Sequence, residues 1–181
     1  DREPAVVVPP EAKAAPAGEI FPHVRIVGGA VEVDGIVPID CHHPDTPHVF
    51  LEVVACAPDT REHEALVMTR ARPSEVHAAL LLVGAEPGAP GAWIWEGGAE
   101  PKLRYSPPRG DRIDVFVRTV RDDGSVDERP VREWIVDVNS GERPPEAPFR
   151  FAGSRFVQFR GREVYDADHA GNIVGLATFG N

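Results

Sequence analysis

The sequence predicts an α+β fold, mainly antiparallel β-sheet with one principal helix at about residues 73–83 packed on it. Short stretches of alternating apolar and polar residues recur from Glu19 onwards. Turn-forming pairs such as Gly28-Gly29 separate them, which is typical of antiparallel hairpins. A single segment has convincing helical spacing of its apolar residues. Together these observations indicate a β-rich domain with one main helix.

The predicted strands of the first half come in two pairs. Residues 21–27 and 30–37 flank Gly28-Gly29 and predict a hairpin. Residues 49–55 form a nearly continuous apolar run, which predicts a central strand. Residues 64–69 follow a turn at Pro58-Asp59 and are predicted to be the partner of that strand.

The principal helix has a start signal, an apolar stripe and a stop signal. Pro73 suits the first helical position, where its missing N–H costs nothing, and Glu75 favours the positive end of the helix dipole. Val76, Ala79 and Val83 lie at helical spacing, which predicts a helix that lies across a sheet. Gly84 suits the left-handed residue that ends a helix.

The second half predicts strands separated by glycine-rich and proline-rich segments. Residues 85–111 are dense in Gly and Pro and predict a long irregular crossing. Residues 113–118 alternate as a half-buried strand does, and a partner follows the turn at Asp122-Asp123-Gly124. Residues 134–138 predict another strand. A C-terminal meander with turns at Arg160-Gly161 and at residues 168–172 completes the predicted fold.

Length and charge exclude some classes of protein. The 181 residues suit one domain with a tail, and the formal net charge is −10. Nucleic-acid affinity derives largely from Lys and Arg, so we expect no nucleic-acid partner. The longest apolar run, residues 78–83, is far shorter than the roughly eighteen residues that a membrane-spanning helix needs. We therefore expect no transmembrane segment in this chain.

The N-terminal residues differ in composition from the rest. Residues 1–18 (DREPAVVVPPEAKAAPAG) are rich in Ala and Pro, and such a segment buries too little apolar surface to offset its ordering entropy. They are predicted to be a linker or tether, and residues 19–181 a single domain. A tether and two cysteines favour an oxidising compartment, so the protein is predicted to be extracytoplasmic: periplasmic, secreted or envelope-tethered.

Several motifs carry a family resemblance. They are Glu52, Cys56, Arg61-Glu62-His63-Glu64-Ala65, Val76-His77-Ala78-Ala79-Leu80-Leu81, Gly84-Ala85-Glu86-Pro87-Gly88, Arg132-Glu133-Trp134, Phe151-Ala152-Gly153-Ser154 and Tyr165 with Ala167-Asp168. With them, most of residues 30–181 resembles the YdjY-like domain, a bacterial family common in extracytoplasmic proteins and without an established activity. The resemblance implies a binding or structural module. In this chain Ala65 stands where the family usually has Ser, and Cys41 lies in what looks like an insertion.

Three interpretations of the cysteines stay open. A disulfide between Cys41 and Cys56 is favoured, and closing such a loop contributes roughly 3 kcal/mol by the chain-entropy estimate. Free alkylation of both thiols without reductant would contradict it. Alternatively, Cys41, His43 and His48 bind zinc or another transition metal, with Cys56 or His63 completing a tetrahedron. The third interpretation is two unpaired thiols. No other cofactor is predicted.

His63, Glu64, His77 and Asp168 form the candidate binding site. If Glu62-His63-Glu64 is extended, the two acids share one face and His63 takes the other, so His63 is predicted to point inward. The helix could then bring His77 to His63 and Glu64. Asp168 lies in a predicted turn whose carboxylates could bind a cation weakly. A metal-dependent or His/Glu-based enzyme acting on a small substrate is the alternative to the favoured non-enzymatic module.

Two tryptophans raise a further possibility. Trp93 and Trp95 alternate in a segment edged by glycines, so one of them could be exposed. Exposed aromatic rings can stack on a carbohydrate or a peptide, although core packing is the favoured role here. The partners predicted for the module are accordingly an envelope protein, a peptide or a carbohydrate.

Overall fold

The computed structural model describes residues 18–38, 50–97, 102–143 and 149–176. Residues 1–17 of the predicted tether and the segment that contains Cys41 lie outside these ranges, whereas Gly18, the last residue of the predicted tether, belongs to the first strand. The elements are β1 (Gly18–Phe21), β2 (Val24–Val27), β3 (Ala30–Val33), β4 (Val53–Cys56), β5 (Ala65–Met68), α1 (Pro73–Leu82), β6 (Pro87–Ala89), β7 (Ala92–Glu96), β8 (Lys102–Ser106), β9 (Arg109–Gly110), β10 (Arg112–Ile113), β11 (Phe116–Val120), β12 (Val126–Pro130), β13 (Phe149–Arg150), β14 (Phe156–Phe159), β15 (Arg162–Tyr165), α2 (Asp166–Ala170) and β16 (Asn172–Gly175). The predicted α+β class is confirmed, because most strand pairs are antiparallel and α1 is the main helix.

The first sheet has the order β1-β2-β3 and is antiparallel throughout. The predicted hairpin at Gly28-Gly29 is confirmed, with φ values of 58° and 82° at the two glycines, a left-handed backbone that glycine adopts without steric cost. Helix α1 packs on β2 and β3. Val24, Ala71 and Ala79 are buried between them and form one cluster of the core.

The second sheet has the order β16-β4-β5. β4 is central, as its apolar sequence predicts, and β5 is its neighbour. The two strands are parallel, however, with Val53 opposite Ala65, so residues 57–64 cross over instead of forming a hairpin. β16 pairs with β4 in the antiparallel direction. Val53, Cys56 and Ala65 are buried here and form the second cluster of the core.

Helix α1 confirms the predicted helix and its end signal. It spans Pro73–Leu82, and Gly84 follows with a φ of 89°. No helix among the described residues is long and apolar enough to span a membrane.

Three local predictions are wrong. Residues 85–111 contain the hairpin β7–β8 and the short pair β6–β9, and Pro87, Gly88 and Gly110 are themselves strand residues of that short pair. Residues 134–138 are not a strand: Val131–Trp134 forms a 3₁₀ turn after Pro130. The turn predicted at residues 168–172 is largely helix α2, which ends at Gly171 in the left-handed region.

Candidate functional site

His77 lies on α1, where three segments distant in sequence meet. The Tyr165 hydroxyl at the end of β15 is 2.9 Å from His77 Nδ1. The Phe151 ring, which is 5 % exposed, packs edge-on against the imidazole with ring centroids 4.8 Å apart. Gly153 approaches so closely that a Cβ there would lie 3.3 Å from His77 Cε1. The imidazole is therefore held from several sides.

The hydrogen bond between Tyr165 and His77 joins two neutral groups. Burial lowers the pKa of His77, which favours the neutral imidazole. Burial also raises the pKa of Tyr165, although a backbone hydrogen bond with Ser154 opposes that rise. Which of the two groups donates depends on the tautomer of His77.

Asp168 caps α1 from a distant part of the chain. Arg72 precedes α1, and its guanidinium has no acceptor atom that could bond the free N–H groups of the first turn. Asp168 in α2 supplies that acceptor: one carboxylate oxygen accepts the Ser74 backbone N–H and the other accepts the Ser74 hydroxyl, each at 2.7 Å. Asp168 therefore takes the role of the N-cap side chain of α1.

His63 and Glu64 belong to a different contact network. Residues Glu62–Glu64 form a 3₁₀ turn, because the Glu62 carboxylate accepts the backbone N–H groups of Asp59 and Thr60. The predicted inward orientation of His63 is wrong, since its side chain is 78 % exposed. Glu64 is ion-paired with Arg61 at 2.8 Å. The structure thus places His77 and Asp168 around α1 and holds His63 and Glu64 at the turn before β5.

The predicted cysteine and metal sites are only partly described. Cys56 is fully buried, and burial raises the pKa of its thiol. Cys41, His43 and His48 lie outside the described residues, so the disulfide and the alternative metal site remain predictions. Within the described ranges, no group of three or more His, Cys, Asp or Glu side chains is placed to hold a metal ion.

The hairpin β7–β8 exposes a set of apolar side chains that the sequence indicated only in part. Trp93 lies opposite Tyr105, and Trp95 opposite Leu103, so all four share one side of the ribbon. We call these four residues the aromatic face. Their exposed fractions are 40 % for Trp93, 42 % for Tyr105, 69 % for Trp95 and 48 % for Leu103. Core packing, the role favoured for both tryptophans, is therefore wrong.

The other side of this hairpin is also uncovered. Ile94 is 40 % exposed, and Arg104 on the same side is ion-paired with Glu96. No other described element makes more than marginal contact with either strand. The hairpin therefore stands out from the domain with both sides accessible. Trp93 and Trp95 stand two residues apart on one strand, and Leu103 and Tyr105 stand two residues apart on the next. This spacing was the signal in the sequence, but the Gly and Pro residues between the two strands obscured it.

The state of His77 predicts an acid-sensitive stability. Above the unfolded-state pKa of about 6.5, His77 is neutral whether folded or unfolded. As the pH falls below that value, the unfolded chain binds a proton that the folded chain does not, so the free energy of unfolding decreases until the folded pKa is reached. We expect denaturant titrations between pH 7.5 and about 5 to show a weaker pH dependence for His77→Gln than for wild type. Equal pH dependence in the two proteins would contradict the assignment.

Comparison with known proteins agrees with the motif pattern. The family model described as the YdjY domain matches residues 27–173, a range that includes α1, the hairpin β7–β8, Phe151 and Tyr165. No curated protein and no solved structure matches the chain. Because the matched range covers most of the 181 residues, the chain belongs to the YdjY domain family.

Proposed function

We propose that this domain is an extracytoplasmic binding module whose aromatic face takes up an uncharged, extended peptide segment. The observation that carries the proposal is the hairpin β7–β8, which exposes two tryptophans, a leucine and a tyrosine on one side and makes at most marginal contact with the other described elements. The extracytoplasmic location is supported by the Pro/Ala-rich N-terminus and by the YdjY family resemblance.

The exposed rings favour a binding role over a purely structural one. Single exposed apolar residues are normal, but a contiguous exposed patch commonly marks an interaction site. Trp and Tyr are also enriched among the residues that contribute most to binding energy. Trp95, at 69 % exposure, contributes little to the core of this domain. We infer that its contribution lies in binding.

Charge indicates the kind of partner. The aromatic face has no charged side chain, while the whole chain has a net charge of −10. Anionic polymers and anionic membranes would be repelled by the domain as a whole. An uncharged partner loses no ionic hydration when it is buried on this face. Charge therefore favours a neutral peptide segment or a neutral glycan.

The shape of the aromatic face favours the peptide. The rings of Trp93 and Tyr105 are inclined at 46° with centroids 5.0 Å apart, so they form an angled surface instead of a flat platform for a sugar ring. Leu103 adds an aliphatic group that forms no hydrogen bond with a sugar hydroxyl. Proline-rich segments dock on aromatic-lined surfaces of this kind in the polyproline II conformation. Their carbonyls make no internal hydrogen bonds and can accept from indole N–H groups.

The network around His77 then has a supporting role. It joins α1 to the segments of Phe151, Tyr165 and Asp168, and each of these polar groups has a partner within the domain. This network stabilises the body from which the hairpin projects. His77 and Asp168 thus stabilise the domain, and Trp93 and Trp95 bind the partner.

Trp95→Ala tests the binding role. We expect a ten-residue proline oligomer to change the tryptophan fluorescence of the wild type in a saturable way. In Trp95→Ala its dissociation constant should rise at least about tenfold, equivalent to about 1.4 kcal/mol, while the thermal midpoint stays unchanged because the side chain is largely exposed.

Ile94→Ala is the matched control for this experiment. Ile94 is on the same strand and is 40 % exposed, but it faces the opposite side, so its replacement should leave the oligomer's affinity unchanged. Equal losses in the two variants would contradict a specific role of the aromatic face. Binding of neutral chitohexaose without binding of the oligomer would assign the face to glycans instead.

A further inference from the structure

We propose that the turn between β14 and β15 is a second binding surface, which takes an acidic peptide segment of a partner protein. It lies on a different hairpin from the aromatic face and goes beyond the proposed function. Four residues define it, and we call them the basic turn: Phe159, Arg160, Arg162 and His169. The basic turn combines a partly exposed aromatic ring with two guanidinium groups that no acidic side chain of the described residues neutralises.

The sequence around this turn differs in charge from the rest of the chain. Residues 155–162 read RFVQFRGR and contain three arginines and no acid, whereas the whole chain has a formal net charge of −10. Arg155 is ion-paired with Asp166 at 3.5 Å. Within the described ranges, Arg160 and Arg162 form no ion pair, although Asp and Glu outnumber Lys and Arg by 29 to 19 in the chain. Two cations are therefore available to a partner.

The hairpin holds these cations around one aromatic ring. Arg162 lies opposite Phe159 in the pairing of β14 with β15, so the two side chains share one side of the hairpin. The Arg160 guanidinium carbon is 5.2 Å from the centroid of the Phe159 ring. The His169 ring packs against the same ring with centroids 4.0 Å apart, and Phe159 is still 38 % exposed. The basic turn thus presents apolar surface next to positive charge.

The backbone of Arg160 is an independent sign that its charge is used. Arg160 has a φ of 50° and Gly161 a φ of 76°, so both lie in the left-handed region that a tight hairpin turn requires. Glycine adopts this region freely and asparagine often does, whereas a long side chain adopts it at a steric cost. The turn would therefore form more readily without arginine at this position. A residue held in an unfavourable conformation is a sign of function, and the function that arginine adds here is its charge.

Size and chemistry favour an acidic peptide segment over other anions. Guanidinium groups bond carboxylates in a bidentate geometry, and the Phe159 ring offers contact to the apolar parts of a peptide. Charges more than roughly 8 Å away are largely screened at physiological ionic strength, so a segment that meets only the turn is attracted. An anionic membrane is a wide surface that would also face the acidic remainder of the domain, which repels it. A small free anion would leave Phe159 unused.

The test compares two full-length double variants that lose the same charge. In the first, Arg160→Asn is combined with Arg162→Gln, because asparagine tolerates the left-handed backbone and keeps the turn. In the matched control, Arg70→Gln is combined with Arg132→Gln, at two other exposed arginines. The probe is an acetylated hexaglutamate peptide. The readouts are the amide NMR spectrum and the dissociation constant, each at low and at high salt.

We expect hexaglutamate to shift the amide resonances of β14 and β15 in the wild type and in the control, with equal affinity that weakens at high salt. In the variant of the basic turn the dissociation constant should rise at least about fivefold, while the affinity for the ten-residue proline oligomer stays unchanged. Equal losses in the two variants would attribute binding to overall charge and overturn the site. A wild type that does not bind hexaglutamate would also overturn it, and the proposed function would stand if the proline oligomer still bound. Binding of phosphatidylglycerol vesicles without binding of hexaglutamate would assign the turn to a membrane and overturn the peptide.

Discussion

Replacing Gly110 with alanine is expected to lower the free energy of unfolding by more than about 4 kcal/mol, a loss that few single substitutions reach. Gly110 has a φ of 123°, and a Cβ there would lie 2.0 Å from the carbonyl oxygen of Phe151. That carbonyl also accepts the backbone N–H of Gly88 at 2.9 Å. Alanine must therefore displace two backbone segments, and Phe151, which packs against His77, would move with them.

Thermal or urea unfolding measures this loss, with two glycines as controls. For a domain of this size each kcal/mol corresponds to about 2–4 °C, so the melting temperature should fall by roughly 10 °C or more. A Cβ at Gly97 would meet nothing within 4 Å, and the φ of Gly97 is not in the positive region. Gly97→Ala should therefore change the free energy of unfolding by less than about 0.5 kcal/mol. Gly124 has a φ of 80°, but a Cβ there would meet nothing within 4 Å. Gly124→Ala should therefore lower the free energy of unfolding only by the cost of a left-handed backbone, about 1–2 kcal/mol. A loss at Gly110 no larger than that at Gly124 would contradict the close approach to Phe151.

Asp168→Ala is expected to cost about 2–3 kcal/mol, because it leaves the Ser74 N–H and the Ser74 hydroxyl without their acceptor in a partly buried place. The carboxylate also favours the positive end of the α1 dipole. Asp168→Asn keeps one acceptor oxygen and should lose less. Chemical denaturation of both variants, together with Ser74→Ala and the double variant, measures the coupling between the two residues.

Asp166→Ala is the matched control for Asp168. Asp166 lies in the same short helix, and its 3.5 Å ion pair is with Arg155, whose side chain is 71 % exposed. Exposed ion pairs contribute little, so this change should cost less than about 1 kcal/mol. A coupling energy near zero between Asp168 and Ser74 would contradict the capping role.

The parts of the fold that follow from short-range geometry could be predicted from the sequence. Gly28-Gly29 and Arg160-Gly161 each supply two consecutive residues with positive φ, which a tight hairpin turn requires. Pro73 and Gly84 likewise mark the beginning and the end of α1, because of their own backbone preferences. The parallel pairing of β4 with β5 and the addition of β16 depend on packing between distant segments. The alternation of apolar and polar residues along a strand does not reveal which other strand it pairs with.

In the candidate site, too, local features could be predicted from the sequence and contacts between distant segments could not. His77 and Asp168 could each be selected from the sequence because of their chemistry, but their partners could not. Tyr165 is 88 residues from His77, and Ser74 is 94 from Asp168. The sequence instead associated His77 with the closer His63, whose turn directs it to solvent. Tyr165 belongs to the motif that ends in Asp168, and that adjacency was the available signal for it.

The capping of α1 by Asp168 has a consequence for how the chain folds. The first turn of α1 receives its cap, and β4 receives one of its two neighbours, from residues 168–175, which are synthesised about a hundred residues after these elements. Contacts of such sequence separation slow folding, because the intervening loop must close before they contribute. On the ribosome, α1 and β4 would emerge incomplete and with apolar surface exposed. We therefore expect productive folding to begin only after the C-terminal segment has left the exit tunnel, so that premature termination before Asp168 yields a chain that aggregates or is degraded.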